Sequence, residues 1–402
     1  MRILSVTETY APFLEFGGPP VKVRALAQGL AKRGHAVTVL TADWGFEKRA
    51  SGSEADGTER SLFGWRHVEK GVTAIYLPTW LRFRASTWNP AVKRFCREQL
   101  GEFDIVHIFG LYDFLGPAVA RECVRRHVPY VVEPIGMYVP IVRSFWLKRA
   151  YHALCGRKLL GGASALIATS EQEREELVAG GIVREKIRLR RNGVEVPAEW
   201  PERGEFRKTL QLSEQTRLIL FLGRLSEKKS PALLLRAFGV LRKESGVDAR
   251  LVYAGPDESG MLAKLAREAR QLGLGEYVQF VGPIFGDRKW SAYRDADVFV
   301  LPSQNENFGN TAAEAVAAGT PVVVTEQCGI APLLADRAGL VVRHDAVDLA
   351  SAMRRVLAEA DLRSRLVEGC HAVAASLRWD GPVSDTDSLY HELVIAKIGS
   401  IE

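Results

Sequence analysis

Val21-Lys22-Val23-Arg24-Ala25-Leu26-Ala27-Gln28-Gly29-Leu30-Ala31-Lys32-Arg33-Gly34-His35-Ala36-Val37-Thr38-Val39-Leu40-Thr41 carries two different periods in succession. Over Val21 to Arg33 the apolar residues Val23, Leu26, Ala27 and Leu30 recur at three- and four-residue spacing. That is the period of one buried helical face, and Gly34 is placed to end it. Ala36–Thr41 is then an apolar, β-branched run that reads as a strand, as does Arg2–Val6 upstream. Strand, helix and strand in that order imply a right-handed βαβ unit and a parallel sheet.

The alternation continues through Ile105–Phe109, Tyr130–Glu133, Ala165–Thr169 and Lys186–Arg190. It resumes, after the polar, proline-containing stretch Pro197–Gly204, with Leu218–Leu222, Arg250–Ala254, Val278–Val281, Val298–Leu301, Pro321–Thr325 and Gly339–Val342. Short continuous apolar runs are what strands covered on both faces require. The expected class is therefore α/β, with two doubly wound domains joined near residue 196 and a ligand in the cleft between them, at the carboxyl ends of the strands. A length of 402 residues fits two cores better than one.

Bulk properties narrow the function. No run approaches the roughly 18–20 apolar residues that span a bilayer, and the amino terminus reads as a strand rather than a secretory leader. Cys96, Cys123, Cys155, Cys328 and Cys370 are odd in number and lack CxxC spacing, which argues against a disulfide framework or zinc site and fits a reducing cytoplasm. Residues 1–195 carry a net charge of +9 and the remainder −3. A basic first half suits an anionic partner, and a phosphorylated acceptor, a phospholipid or nucleic acid would all satisfy that charge. No nucleic-acid recognition motif is present, so no nucleic-acid partner is expected.

Three segments carry candidate chemistry. In Leu301-Pro-Ser-Gln-Asn-Glu-Asn-Phe-Gly-Asn-Thr-Ala-Ala-Glu-Ala315 a strand ends, a glycine-containing turn follows, and a helix starts near Asn310, with Asn310 or Thr311 able to cap it. A helix start beside a glycine is a seat for an anion, and Glu306 and Glu314 flank it. In Phe221-Leu-Gly-Arg-Leu-Ser-Glu-Lys-Lys-Ser230, Arg224 and Lys229 follow a strand end, where they can neutralise a diphosphate without a metal. In Glu15-Phe-Gly-Gly-Pro-Pro20, Gly17 and Gly18 allow a backbone to approach a phosphate, although no GxGxxG or Walker fingerprint is present.

Together these segments resemble the family 4 retaining glycosyltransferases (glycosyl transferases group 1), over nearly the whole chain. Supporting matches are Arg33 to Val39, Thr169-Ser170-Glu171, Asn192-Gly193-Val194 and Gly319 to Val323. The resemblance implies a GT-B fold of two Rossmann-like domains facing across a deep cleft. Residues 1–196 would be acceptor-binding and 197–382 donor-binding, with a terminal helix at 383–402 returning to the first domain. It implies that Arg224 and Lys229 clamp a donor diphosphate. Glu306, with Phe308, Gly309, Asn310 and Thr311, would hold the donor sugar and distal phosphate. Glu314 would bind the ribose, and Gly17 and Gly18 would close over the donor.

It also implies a nucleotide-sugar donor (UDP- or GDP-linked), a glycan, lipid-linked or small-molecule acceptor in bacterial polysaccharide or glycoconjugate synthesis, and no cofactor or metal. Two alternatives stay open: a GT-B sugar-nucleotide epimerase, and a non-catalytic nucleotide-sugar-binding subunit. The chain departs from the family's common pattern at Phe109 and Ile135, where many relatives carry histidines. His107, Phe109, Glu133 and Tyr138 are the acceptor-side candidates, although a histidine inside an apolar strand, as His107 is, more often serves structure than acid–base work. Asp295-Ala-Asp297 spells a DxD, here read as coincidence. Residues 143–160 mix basic residues with Phe145, Trp146 and Tyr151, which permits peripheral contact with an anionic membrane at its inner face.

Overall fold

A computed structural model describes residues 1–49, 57–83, 86–139 and 151–399. The chain divides into two compact units, Met1–Gly193 with Trp379–Glu402, and Val194–Arg378. These junctions fall a few residues ahead of the expected 196/197 and 382/383. The reason is local: the Val194 N–H donates to the Leu377 carbonyl at 2.6 Å, which fixes both residues in the second unit.

The first unit contains strands β1 (Arg2–Thr7), β2 (Ala36–Ala42), β3 (Thr58–Ser61), β4 (Gly64–Glu69), β5 (Val72–Leu77), β6 (Leu81–Phe83), β7 (Ser86–Trp88), β8 (Ile105–Phe109), β9 (Tyr130–Glu133), β10 (Ala165–Ala168) and β11 (Ile187–Leu189). Nine form one sheet in the order β11-β10-β9-β8-β1-β2-β5-β4-β3, and β6 pairs with β7 in a separate hairpin. The sheet is parallel from β11 to β5, as the βαβ reading requires. The antiparallel edge β3–β4 and the hairpin were not anticipated. Both faces of the sheet are covered, so β1 and β8 are buried along their apolar length.

The helix anticipated at Val21–Arg33 spans Gly18–Lys32. It ends as read: Gly34 adopts φ +88°, its N–H reaches the Ala31 carbonyl, and the His35 N–H reaches Leu30. That left-handed residue costs glycine nothing, and it turns the chain into β2. The terminal helix runs from Asp380 to Gly399, beginning earlier than expected, and belongs to this unit.

The second unit contains β12 (Arg217–Leu222), β13 (Ala249–Ala254), β14 (Val278–Gly282), β15 (Val298–Leu301), β16 (Val322–Thr325) and β17 (Gly339–Val342). They form a six-stranded, all-parallel sheet in the order β14-β13-β12-β15-β16-β17. From β12 the chain winds outward to β13 and β14, then returns to the other side of β12 to lay down β15. The strand order therefore reverses between β12 and β15, the place where open α/β sheets bind ligands.

Candidate functional site

At the reversal in the second unit, the segment after β12 meets the segment after β15. Lys229 closes a short 3-10 turn, Glu227–Lys229, and its Nζ donates to Glu306 Oε2 in a short ion pair. The two side chains are 18 % and 16 % exposed, so the pair is reachable yet poorly solvated. The backbone fixes Glu306 independently: its N–H donates to the Gln327 carbonyl, and its carbonyl accepts from Gly329. The Gln304 N–H donates to the Lys228 carbonyl, which ties the two segments together.

The helix after β15 begins at Asn310 and ends at Ala317. The structure corrects the expected cap. Neither Asn310 nor Thr311 caps it; Gly309 does, at φ +106° and with no side-chain cap hydrogen bond. A Cβ at Gly309 would lie 2.9 Å from Ile330 Cγ2, so the turn has room for glycine only. The helix start therefore lacks the side-chain acceptor that a serine or aspartate cap supplies, and its dipole points at the Lys229–Glu306 pair's end of the sheet. Thr311 Oγ1 is buried without a hydrogen-bond partner among the described residues. Phe308 is buried, its carbonyl accepting from Ile330.

Glu314, one turn into this helix, is held at both oxygens. Lys289 Nζ donates to Oε1 at 2.8 Å and the Tyr293 hydroxyl to Oε2 at 2.9 Å. Burial, then Glu314 itself, raises the Tyr293 phenol well above its usual range, so that hydroxyl remains a donor. Arg224 is exposed and has no hydrogen-bond or ion-pair partner among the described residues. The Asp295–Asp297 pair is spent on the fold. Asp295 accepts the Gly204, Phe206 and Arg207 N–H groups, and Asp297 pairs with Arg207 and Arg217.

In the first unit the strand order reverses between β1 and β8. Gly17, at φ +108°, precedes the helix that starts at Gly18, beyond the end of β1. The acceptor-side candidates fare differently. His107 and Glu133 are fully buried, and their polar atoms serve the core. Glu133 receives Lys22 Nζ at 2.5 Å and Arg190 at 2.8 Å, while His107 Nδ1 lies 2.6 Å from the Tyr390 hydroxyl. Burial drives the His107 imidazole down to about 3, so it is neutral. Phe109 is buried with its ring stacked on His107 at 3.8 Å. Tyr138 is partly exposed and donates to the Gly180 carbonyl. Ile135 sits at φ +56°, a backbone state that a β-branched residue adopts at a cost.

Sequence reasoning missed two groups at this reversal, Glu8 directly after β1 and Asp113 just past β8. Both Glu8 carboxylate oxygens are buried, with Thr87 and Arg82 working against that burial. Burial, then the Asp113 charge, pushes Glu8 up to about 8, and burial lifts Asp113 to about 6. The signal was available: an acid directly following a parallel strand's carboxyl end. The basic aromatic stretch at 143–160 lies outside the described residues up to 150. Beyond it, Leu159 and Leu160 are buried while Arg157 and Lys158 face outward. No helix among the described residues is long and apolar enough to cross a membrane.

Family comparison agrees with this layout. The family model "Glycosyl transferase 4-like domain" matches residues 17–193, and "Glycosyl transferases group 1" matches 202–370. The D-inositol 3-phosphate glycosyltransferase of Actinosynnema mirum is 30% identical over 383 residues, covering 90% of this chain and 89% of that protein. This chain belongs to the GT4-type glycosyltransferases. The Corynebacterium jeikeium protein of the same name is 29% identical over 403 residues, covering 94% and 92%. Among solved structures, Anabaena Alr3699/HepE in complex with UDP and glucose superposes with a TM-score of 0.76 at 17% identity, covering 98% of this chain and 100% of that one. WaaG, a glycosyltransferase involved in lipopolysaccharide biosynthesis, gives 0.70 at 20% identity, covering 96% and 98%. These likenesses show the GT-B fold.

Proposed function

We propose that this GT4-type glycosyltransferase is a retaining enzyme that takes its sugar from a UDP- or GDP-linked donor, without a metal. The observation that carries the proposal is the Lys229–Glu306 pair beside the Gly309-capped helix start, at the point where the second sheet reverses its strand order. A diphosphate arriving there competes for the Lys229 ammonium. Once released, Glu306 can accept from a sugar hydroxyl. Glu314, oriented by Lys289 and Tyr293, stands ready for the ribose. The UDP and UDP-glucose complexes of Alr3699/HepE support a nucleotide-sugar donor.

The bond from the anomeric carbon to the diphosphate oxygen breaks, and negative charge grows on the leaving group. Lys229, Arg224 and the helix dipole stabilise that charge where it develops, the role a metal fills elsewhere. The acceptor oxygen bonds to the same face of the carbon, and its proton passes to the departing phosphate oxygen. No protein nucleophile is required.

For the acceptor, the excess of positive charge over residues 1–195 favours one bearing phosphate, free or lipid-linked, in glycoconjugate synthesis in the cytoplasm. The relatives named D-inositol 3-phosphate glycosyltransferases agree with a phosphorylated acceptor.

The test is a thermal-shift and donor-hydrolysis screen against UDP-, GDP-, ADP- and dTDP-sugars, with and without EDTA. Stabilisation by one nucleotide class, with EDTA-resistant release of its diphosphate, supports the proposal. Loss of that release in EDTA contradicts metal-free transfer, and no binding by any donor contradicts the site.

A further inference from the structure

Three side chains of the first unit converge away from its strand ends. His35 lies in the turn that Gly34 opens, between the helix Gly18–Lys32 and β2. Asp387 and His391 stand four positions apart on the terminal helix, and so share one of its faces. His35 Nε2 is 2.9 Å from Asp387 Oδ1, and His391 Nε2 is 3.4 Å from the same oxygen. The three potential ligand atoms all lie within 4.8 Å of one another.

The spacing has a chemical meaning. A tetrahedral zinc with nitrogen and oxygen ligands at roughly 2.0–2.2 Å sets neighbouring ligand atoms about 3.3–3.5 Å apart. The set is thus already close to the dimensions a cation imposes. One imidazole on a carboxylate makes an ordinary salt bridge; a second imidazole aimed at the same oxygen makes a two-nitrogen, one-oxygen donor set. That set suits zinc, whereas magnesium and calcium ask for six or more oxygens.

The surroundings orient the ligands. Arg33 Nη1 occupies the other Asp387 oxygen at 3.1 Å, leaving Oδ1 to face the rings. The Met1 amino group lies 3.2 Å from His35 Nδ1, the outward nitrogen. The Arg33 contact fixes the Asp387 rotamer, whereas an ammonium donating to His35 Nδ1 favours the Nε2–H tautomer, so cation binding at Nε2 must displace that proton. The Arg33 charge opposes a cation, so the affinity is moderate rather than extreme. The His35 and Asp387 side chains are 8 % and 16 % exposed, while His391 at 56 % leaves an entry path and an open coordination position.

We propose that His35, Asp387 and His391 bind a zinc-class divalent cation that clasps the terminal helix to the turn after the first helix. The helix is already seated close by: a Cβ at Gly29 would lie 2.5 Å from Val383 Cγ2. The cation adds an anchor one to two turns further along. Its role is structural, and it stands apart from the transfer chemistry proposed above.

The experiment titrates the tag-free, full-length protein with Zn²⁺ by calorimetry and with Co²⁺ by visible absorption, alongside thermal unfolding. The expected result is one Zn²⁺ per chain, a Co²⁺ d–d band and a higher Tm with Zn²⁺. His391→Ala, at an exposed position, should weaken Zn²⁺ binding by at least about tenfold and erase the Tm rise, while leaving the circular dichroism and the Tm in EDTA unchanged. Asp387→Asn should lose binding likewise. Absence of stoichiometric Zn²⁺ binding, equal affinity in His391→Ala, or the same Tm rise with Mg²⁺ would each overturn the site.

Discussion

Replacing Glu133 by glutamine removes the carboxylate that pairs with two buried cations. Lys22 and Arg190 side chains are only 3 % and 2 % exposed, and both point at Glu133. Leaving a buried charge without its partner costs about 3–5 kcal/mol. The pH behaviour gives a second, independent magnitude. Burial works to push the Glu133 carboxyl up, but Arg190, then Lys22 and His107, overcome it and hold the group at about 2. Its folded value is below the ordinary 4.5, so its contribution is present above pH 4.5 and is lost as pH falls from 4.5 towards 2. The gap corresponds to about 3 kcal/mol at 1.36 kcal/mol per pH unit.

Hydrogen exchange of peptides covering β8 and β9 reads the first unit, and peptides covering β12 and β13 serve as an internal control in the second. At neutral pH, Glu133→Gln should reduce protection in β8 and β9 by roughly two to four orders of magnitude, with the control unchanged. Between pH 5 and 3 the wild type should lose protection more steeply than the variant. A neutral-pH loss under about 1 kcal/mol, well below the buried-pair range, or an acid loss identical in both proteins, would refute the charge-network reasoning.

Further outcomes follow from other residues. Glu8, raised to about 8, contributes stability that is full below its ordinary 4.5 and falls away as pH rises through 8. Glu8→Gln should therefore nearly match the wild type near pH 5 and exceed it by on the order of 4–5 kcal/mol near pH 9, as Tm against pH would show. Gly309→Ala forces φ +106° on a residue with a Cβ and drives it to 2.9 Å from Ile330, so chemical denaturation should show a loss of about 1–3 kcal/mol and turnover should drop with it.

The strands of both sheets were readable because parallel strands covered on two faces need unbroken apolar runs, as Leu218–Leu222 and Val298–Leu301 show. The edge strands β3 and β4 were not, since Thr58-Glu-Arg-Ser61 and its neighbour leave much of their length half-exposed or exposed and carry charges that hide the period. Lys229, Glu306 and Glu314 were legible as residue types following strand ends. Their partners were not: Lys289 and Tyr293 reach Glu314 from a separate helix, Gly286–Asp295, whose own pattern says nothing of a site. His107 illustrates the same limit. Its apolar strand pointed to a buried structural histidine, but Tyr390, which bonds its ring, lies 283 positions away. Side-chain chemistry favours Asn310 or Thr311 as the cap, whereas the tight approach of Ile330 decides for Gly309.

The central claim is that Lys229 and Glu306 form the donor site, and it is tested most directly by steady-state transfer in Lys229→Ala and Glu306→Ala with the donor the screen identifies. Each variant should keep the wild-type fold by circular dichroism and lose about 10²–10³-fold in kcat, the scale for removing one preorganised stabiliser of developing charge. Near-normal kcat in both folded variants would contradict the account.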